Sequence, residues 1–360
     1  TASNFFPQLG GDASAGRSKT GSSESESYSF GVTGRQLLFD GFKTYFEVEE
    51  AVKNIEADRY NYDVTSSSVR LSLRTAFINL LKAKELLRIT EEIAKRRRQS
   101  RDLIQLRYDA GREHKGSLMT AQANLAQADF EVEQAKRNTV VAQRRFLTRL
   151  GRNHFLPVEV QGELEFNPSD RVKPDLENLA ETTPFLRQLI VLKEAARWGV
   201  QSAKADFFPQ IYATGSAGRS ASNWPPDRDE WSLGASLNVP LFEGGARVAT
   251  VSRAGSFLNQ AEAEERSGRN GVILTLEETW SEFQDAVELV DVQKKFLDAA
   301  KEREKIAESE YSTGLISFNN WIIIEDNLVR AEKIYLDARA NALVAEANWK
   351  QAKGETLDEE

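Results

Sequence analysis

The chain has 360 residues, and its 47 basic and 55 acidic side chains give a net charge of −8, which excludes a nucleic-acid-binding protein built on a basic surface. The absence of cysteine excludes disulfides and thiolate metal sites. No apolar run approaches the roughly 18 residues that mark a membrane-spanning helix. The composition alone therefore resembles that of a water-soluble protein, but the patterns described below predict a different location.

The chain contains a long internal repeat. The stretch "FFPQLGGDASAGRS" begins at Phe5, and "FFPQIYATGSAGRS" begins at Phe207, an offset of 202. From the corner "LFDG" at 38–41 and its copy "LFEG" at 241–244 onward, the offset is 203. A repeat of this length indicates that one structural unit occurs twice in tandem.

Each repeat opens with segments in which apolar and polar residues alternate, as in a β-barrel strand with one face toward lipid and one toward water. These segments lie at 28–33 and 231–239, and a second alternating segment precedes each of them, at 9–15 and 211–217. Turn-forming residues at 18–26 and 220–229 lie between the two segments of each pair. The sequence thus predicts two hairpins and four strands. The predicted lipid-facing residues are Tyr28, Phe30, Val32, Trp231, Leu233 and Val239.

Long helices follow the strands in both repeats. Residues 43–110 contain neither proline nor glycine, and the copy 246–313 contains only three glycines. A helix of this length spans about 100 Å. The predicted heptad seam of the first helix passes through Val69, Leu73, Ala76, Leu80, Ala83, Leu87 and Ala94. Return helices after Gly111 and Gly314 complete two antiparallel helical hairpins, with seams that include Leu118, Ala121, Trp321 and Leu328.

The predicted organisation is therefore two repeats with a segment between them. The first repeat covers 1–151, with strands in 5–39 and a helical hairpin in 43–150. A proline-containing linker with a helix covers 152–206. The second repeat covers 207–354, with strands in 207–243 and a hairpin in 246–353, and a tail follows at 355–360. Because the linker helix has no copy in the first repeat, we expect an N-terminal segment, preceded by any signal peptide, before residue 1.

Four strands with an apolar outer face cannot form a membrane structure alone. Small barrels need about eight strands, and an open sheet edge in lipid leaves backbone groups without hydrogen bonds. The sequence therefore predicts that several chains pool their strands.

The ordered combination of motifs resembles the TolC family of outer-membrane efflux channels. The motifs are the "FFPQ" strand openings, the "LFDG" and "LFEGG" corners, and the "YDAG" and "YSTGLISFNNW" hairpin tips. The first tip departs from the family's usual acidic-aliphatic pair by carrying Ser117, Leu118 and Met119.

This resemblance implies a homotrimer in the outer membrane of a Gram-negative bacterium. Its mainly α fold contributes four strands per chain to a 12-stranded β-barrel in outer-membrane lipid, joined to a periplasmic α-helical barrel. The implied function is that of a passive exit duct for tripartite efflux or type I secretion. The implied partners are a periplasmic adaptor (membrane fusion protein) and an inner-membrane pump, with no cofactor and no nucleic acid.

Two other classes of function compete with an export conduit. A structural or adhesive outer-membrane trimer would use the same barrel as an anchor without transport. A soluble coiled-coil scaffold would require that the alternating segments form a sandwich instead of a membrane sheet. An enzyme is not predicted, because the sequence does not assemble a nucleophile, a base and an oxyanion donor. His114 and His154, the only histidines, are too few and too separated for a metal cluster.

The turns between the long helices are the predicted adaptor-docking site. The first turn offers charged residues and the second offers apolar ones, and exposed apolar residues at the end of a rod mark a partner surface. The alternative is that the two turns only pack on each other. The predicted docking residues are Gly111, Arg112, Lys115, Gly314, Leu315 and Phe318.

The predicted lining of the tunnel aperture is Tyr311, Ile316, Asn320 and Ile323. In acid-gated members of the TolC family, carboxylates follow the second tip glycine by six and nine positions, and here Asn320 and Ile323 occupy those places. We therefore expect a neutral aperture without a cation-binding ring. Glu325 or Asp326 is the alternative source of acid. The basic run 95–98 is expected to be solvated, with binding of an acidic partner as the alternative.

Overall fold

The computed structural model describes residues 2–154, 156, 158–162, 164–165 and 172–355. The predicted tail at 355–360 therefore lies outside the described residues except for its first residue. A short 3₁₀ turn covers Ala2–Phe5. The helices and strands that follow are β1 (Gln8–Thr20), β2 (Ser23–Phe39), α1 (Lys43–Asp109), α2 (Lys115–Arg149), α3 (Leu176–Ala180), α4 (Pro184–Ala205), β3 (Gln210–Ala221), β4 (Arg228–Asn238), α5 (Ala246–Thr313) and α6 (Phe318–Ala352).

The four strands form one antiparallel sheet in the order β1-β2-β3-β4. In this register Ala13 is opposite Phe30, and Ala217 is opposite both Val32 and Trp231, so the apolar residues share one face. The other face carries paired serines, with Ser14 bonded to Ser29 at 2.8 Å and Ser216 to Ser232 at 2.9 Å between their Oγ atoms. The predicted alternation is therefore confirmed, with one apolar and one polar face.

The hairpin turns are shorter than the sequence predicted. The first turn is only Gly21 and Ser22, because β1 runs to Thr20 and β2 begins at Ser23. Serines and charged residues that look like turn formers lie inside these strands, where Arg17 and Glu24 form an ion pair at 2.6 Å between Nη2 and Oε2. Val239 lies beyond the last residue of β4, so it follows the strand instead of lying within it.

The corner between β2 and α1 requires a glycine. Gly41 has φ +71°, and a Cβ atom built on it would lie 2.4 Å from the Cβ of Phe208. The next residue, Phe42, also has a positive φ of 67°. A side chain at position 41 would meet both the left-handed backbone and the ring, so the glycine of the "LFDG" motif is needed for this sharp turn.

The two helical hairpins repeat the same backbone plan. The bounds of α6 are those of α2 moved along the chain by the repeat offset, and the start of α5 is related to that of α1 in the same way. Leu118, Ala121, Trp321 and Leu328 of the predicted return-helix seams are buried. The predicted α1 seam is only partly correct, since Leu80 and Ala94 are buried but Val69 is 56% exposed. The buried face of α1 instead carries Ile78, Ile89, Ile93 and Ile104.

The described chain divides into two compact units that cut across the repeats. One unit comprises residues 1–62 and 184–270, and contains the sheet and α4. Within it, the Nζ atom of Lys53 lies 2.8 Å from Glu194 Oε2 and that of Lys193 lies 2.6 Å from Glu265 Oε2. These ion pairs link α4 to the adjoining parts of both long helices.

The second unit comprises residues 63–183 and 271–360, and contains the two hairpin tips. Its main core combines Ile89 and Ile93 of α1 with Ala128 of α2 and with Leu336 and Ala340 of α6. The groove between α1 and α2 is therefore filled by side chains of α6. Of the helices that the structure describes, none combines the length and apolarity needed to cross a bilayer.

Candidate functional site

The turns at the two hairpin tips have the same backbone geometry. Gly111 and Gly314 have φ values of +69° and +82°. The amide of Arg112 donates to Arg107 O at 2.8 Å, and the amide of Leu315 donates to Glu310 O at 2.8 Å. A left-handed glycine followed by this hydrogen bond is the usual way in which a helix ends. Both tips are therefore turns of the same type, built from local sequence.

The helices that leave the turns are capped by side chains. His114 Nδ1 accepts from the amide of Ser117 at 3.1 Å, and Ser317 Oγ accepts from the amide of Asn320 at 3.3 Å. These caps satisfy backbone amides at the starts of α2 and α6, which have no partner within the helix. His114 is therefore an exposed cap at the helix start.

An aromatic cluster supports the second tip from inside. Tyr311 stacks on Trp321 with ring centroids 4.7 Å apart and an interplanar angle of 15°. The edge of Phe318 meets the Trp321 ring at 6.4 Å. The guanidinium carbon of Arg107 lies 4.4 Å from the centroid of the Tyr311 ring, while its Nη1 donates to Tyr311 O at 2.9 Å. Arg107 therefore joins α1 to the end of α5.

A single carboxylate bridges the two tips. The hydroxyl of Tyr311 donates to Glu113 Oε2 at 2.8 Å, and the amide of His114 donates to Glu113 Oε1 at 3.2 Å. Burial favours the neutral acid, but the hydrogen bonds from Tyr311, Ser117 and His114 hold the pKa of Glu113 below its ordinary value. Burial raises the pKa of the Tyr311 hydroxyl, which stays a donor at neutral pH. Sequence reasoning missed Glu113, since its partner lies 198 residues away.

The predicted docking residues fall into two groups. Leu315 is 77% exposed, and Arg112 and Lys115 are exposed beside the turn glycines. Phe318 is only 6% exposed, which differs from the prediction that it projects from the tip. Its ring is covered by Tyr311 and Trp321 because it begins α6 on the face that packs inward. Phe318 therefore supports the tip, and Leu315 is its exposed apolar residue.

A cavity of about 520 Å³ separates the two turns. Its lining includes Arg107, Arg112, Glu113, Tyr311, Ile316 and Phe318. The turns thus pack on each other through Glu113 and Tyr311, which is the contact that the alternative interpretation predicted, and still leave a polar opening between them.

The predicted aperture residues also separate into groups. Tyr311 is 2% exposed and lies inside the aromatic cluster, so its ring is covered within its own chain. Asn320 is exposed, Ile323 is 51% exposed and Ile316 is half-buried. Their role in lining a tunnel stays a prediction, whereas Tyr311 is placed to position the tip.

The basic run 95–98 is solvated only in part, since Lys95 and Arg98 are exposed whereas Arg96 is half-buried and Arg97 is buried. Arg96 Nη2 lies 2.6 Å from Glu332 Oε2, and Arg98 Nη2 lies 3.1 Å from Asp129 Oδ1. Arg97 binds both Glu325, at 2.7 Å from its Nη1, and Asp326. Three arginines of α1 therefore reach acids on two other helices. The acids lie up to 236 residues away in sequence, so local sequence gave no sign of them.

The pair Arg97–Glu325 is the most deeply buried part of this ionic cluster. The side chains of Arg97 and Glu325 are only 7% and 2% exposed. Burial raises the pKa of Glu325, although the nearby Arg97 and Arg96 act in the opposite direction. Glu304 of α5 also has a raised pKa, caused first by burial and then by Glu308. Glu325 thus serves as the buried partner of Arg97 and is not an exposed source of charge.

The described residues contain no group of three or more histidine or acidic side chains arranged to hold a metal ion. The chemistry of the tips is instead that of a contact surface, with one exposed leucine, two exposed cations and a carboxylate–hydroxyl bridge beneath them.

Comparison with known proteins identifies a protein family whose model matches most of this chain. The family model described as "Outer membrane efflux protein" matches residues 1–152 and 176–355. Outer membrane efflux protein BepC of Brucella suis is 21% identical over 343 residues, which cover 92% of this chain and 74% of that protein. Alkaline protease secretion protein AprF of Pseudomonas aeruginosa is 27% identical over 245 residues, covering 64% of this chain and 49% of that protein.

The fold also matches a solved channel structure. The open state of the Neisseria gonorrhoeae MtrE outer membrane channel aligns with a TM-score of 0.87 at 19% identity, covering 99% of this chain and 82% of that one. The match extends over both repeats, so the sheet and the two helical hairpins occur together in a known architecture.

Proposed function

This chain belongs to the outer membrane efflux protein family, and we propose that three copies of it form the outer-membrane exit duct of an efflux or type I secretion system. The relatives named for efflux and for alkaline protease secretion support both classes of export system.

The main support for this proposal is the sheet, which has two unlike faces and two free edges. Trp231 and Leu233 are 78% and 81% exposed on the apolar face, and hydrogen-bonded serines occupy the other. β1 and β4 each lack a neighbour on one side of the described sheet. In lipid, the free edges must pair, and three four-stranded sheets closed edge to edge satisfy both edges of every copy.

The height of the apolar band fits a bilayer. Along β2 the apolar residues of this face extend from Tyr28 to Leu38, with Gly34 and Gln36 among them, over about 33 Å of strand or about 25 Å at a tilt near 40°. The same face carries the Arg219–Asp229 ion pair opposite Phe30, and beyond Tyr28 it carries the Arg17–Glu24 pair. The edge of Tyr28 meets Trp224 at a centroid distance of 6.0 Å, as expected of aromatic residues at a membrane–water boundary. The serine face then lines a water-filled lumen.

The hairpin tips are the proposed contact for a periplasmic adaptor, which connects the duct to an inner-membrane pump. Leu315 supplies an exposed apolar contact, and Arg112 and Lys115 supply cations around it. The aromatic cluster and the Glu113–Tyr311 bridge hold these residues on rigid turns. Rigid presentation of a small apolar anchor with a polar rim is the usual design of a protein contact surface.

The stoichiometry is tested by the mass of the detergent-purified full-length protein. The expected result is a particle of three chains that requires detergent. A folded monomer that stays in solution without detergent would contradict the proposal, because its apolar sheet face would then have no lipid to cover it.

The docking end is tested by Leu315→Asp in cells that depend on this channel for export. We expect export to be lost while the trimer still assembles, since Leu315 lies on the surface and its replacement leaves the core intact. Leu315→Met keeps the apolar bulk and is the matched control that should export normally. Unchanged export by the aspartate variant would exclude the second tip as a docking contact.

A further inference from the structure

The polar face of the sheet carries an arginine that no acid of the described chain neutralises. Arg35 lies on β2, on the same face as Ser29 and Thr33, and its side chain is exposed. In the register it is opposite Gln8 of β1 and Thr214 of β3, which are both uncharged. No carboxylate of the described residues forms an ion pair with Arg35. Its charge is therefore open to the water on this side of the sheet.

An aromatic ring holds the guanidinium group of Arg35 in place. Its central carbon lies 3.8 Å from the centroid of the Tyr212 ring. The Tyr212 hydroxyl donates to Gln210 Oε1 at 3.2 Å, so the far end of the ring is also fixed. A guanidinium that stacks on a ring uses one of its flat faces and keeps its N–H donors, which lie in its plane, free for a ligand. Little freedom of the Arg35 side chain is then left to lose on binding.

Arg35 lines a hollow of about 470 Å³ that contains no acid. The hydroxyls of Ser216 and Ser232 lie in the same lining, 2.9 Å apart, and the one hydrogen bond between them leaves one hydroxyl hydrogen free to donate. A fixed guanidinium beside neutral hydroxyls matches the geometry of a carboxylate or a phosphate, which an arginine binds through two parallel hydrogen bonds. The other polar side chains of the lining are Gln8, Thr33 and Thr214, and the remaining positions are Leu9 and three glycines.

The acids of the polar face lie at a different level of the sheet. Asp12 and Glu230 share the level of Gly31 and Gly218, four residues along β2 from Arg35. At about 3.3 Å per residue this separation is about 13 Å, which exceeds the Debye length of about 10 Å at 0.1 M ionic strength. The two acids therefore lower the positive potential around Arg35 only slightly in physiological salt.

We propose that Arg35, stacked on Tyr212, binds the oxyanion group of a solute that passes along the polar face of the sheet, either a carboxylate or a phosphate. This inference rests on the proposed duct, in which that face lines the water-filled lumen, and it specifies anionic solutes as the class that the barrel itself holds. Three copies place three such sites at one level of the barrel. A solute with several anionic groups therefore binds more tightly than one with a single charge.

A second arginine of the same face provides a matched control. Arg228 of β4 is exposed like Arg35, but Glu230 follows it by two residues on the same face of the strand. The two positions are about 7 Å apart, which is within the Debye length, so the acid offsets the charge of Arg228. Replacing either arginine by glutamine removes one positive charge from the lumen. The comparison thus separates a local site at Arg35 from a general effect of lumen charge.

The test uses the purified full-length trimer in planar bilayers, with inorganic tripolyphosphate and citrate as probes in both chambers. We expect the probes to block the ionic current of the wild-type channel. Arg35→Gln removes charge-assisted hydrogen bonds to the anion and should raise the concentration for half-block about tenfold or more. Arg228→Gln should keep the wild-type concentration within about twofold, because Glu230 already offsets that charge. Block by only one of the two probes supports the site and assigns it to that oxyanion.

The outcomes distinguish this inference from the proposed function. Equal block of Arg35→Gln and the wild type, or equal weakening of block by the two arginine variants, would overturn a site at Arg35 and leave the duct intact. Conducting wild-type channels that neither probe blocks would overturn it in the same way. Inserted trimers without any steps of ionic current would overturn the proposed function as well.

A second pair of variants tests Tyr212 as the residue that positions Arg35. Tyr212→Leu removes the ring and should weaken block about threefold, as the loss of an exposed cation–π contact predicts, whereas Tyr212→Phe keeps the ring and should be blocked like the wild type. The ratio of Cl⁻ to K⁺ permeability, measured from the reversal potential in a KCl gradient, should fall in Arg35→Gln and stay unchanged in Tyr212→Leu, since only the first variant loses a charge. Block of Tyr212→Leu at the wild-type concentration would contradict the role of the ring.

Discussion

The two helical hairpins share a backbone and differ in the chemistry of their grooves. Where α1 carries Arg96 and Arg97, the copy α5 carries Ala299 and Ala300. The first groove is closed within the chain by α6 and its buried ion pairs, and the second remains open and apolar. Both hairpins keep the turn glycines and the capped helix starts, whereas the side chains that line the two grooves differ.

The largest expected effect on this difference comes from replacing Arg97, whose ion pairs close the first groove. Arg97→Ala leaves Glu325 buried without its main cation, and removal of one partner of a buried pair costs about 4 kcal/mol. Chemical unfolding in detergent, followed by circular dichroism, should show this loss of stability. The double variant Arg97→Met, Glu325→Leu replaces the pair with apolar side chains of similar size and should recover most of the loss. A single variant as stable as the wild type would show that Arg97 does not hold the groove closed.

Phe318 and Leu315 of the second tip are expected to differ in their contributions to stability, by less than the effect at Arg97. Phe318→Ala removes a buried ring and should weaken the tip by about 3 kcal/mol, whereas Leu315→Ala changes an exposed side chain and should cost under about 0.5 kcal/mol. Hydrogen exchange of the amides around Gly314 measures the local opening free energy in both variants. Similar losses in the two variants would contradict their assignment to core and surface.

The sequence revealed those parts of the fold that depend on local patterns. Alternation located the strands, and the heptad spacing through Leu118 and Leu328 located one buried face of α2 and one of α6. The seam of α1 was harder to assign, since Ile89 and Val69 lie on different faces of one helix and only tertiary contacts decide which face is covered. The lengths of β1 and β2 were underestimated because serine and glutamate beyond the apolar band resemble turn residues.

The candidate site depended more on long-range contacts and was therefore less predictable. An apolar residue beside a turn glycine suggests exposure, which holds for Leu315 but not for Phe318, whose ring is covered by Tyr311. The partners of Glu113 and Arg97 lie about two hundred residues away, beyond the reach of any local pattern. The repeat provides the one sequence signal for such contacts, since it relates pairs of helices to each other.

A smaller effect is expected at the bridge between the tips. Glu113→Gln weakens a charge-assisted hydrogen bond to Tyr311 and should cost about 1 kcal/mol at pH 7. Because folding lowers the pKa of Glu113, this stabilisation is present above the ordinary value of 4.5 and is lost as the pH falls through the lower folded value. The difference in thermal midpoint between wild type and variant should thus be constant above pH 4.5 and shrink in more acidic solution. A difference independent of pH would exclude the carboxylate as its source.

The smallest effect is expected for cations at the predicted neutral aperture. In planar bilayers, a trivalent cation should block the wild-type channel only weakly, because Asn320 and Ile323 supply no carboxylate and Glu325 is buried against Arg97. The double variant Asn320→Asp, Ile323→Asp adds acids at these positions and should be blocked far more tightly. Tight block of the wild type at micromolar concentration would reveal an acidic ring formed by other residues.

Single-channel recording of the purified trimer tests the central claim of an open export duct most directly. The serine face of the sheet is predicted to line a continuous water-filled lumen, so each inserted trimer should give discrete, stable steps of ionic current. A plugged barrel that only anchors an adhesive or structural trimer would insert without such steps. Insertion of intact trimers without ionic conductance would contradict the duct.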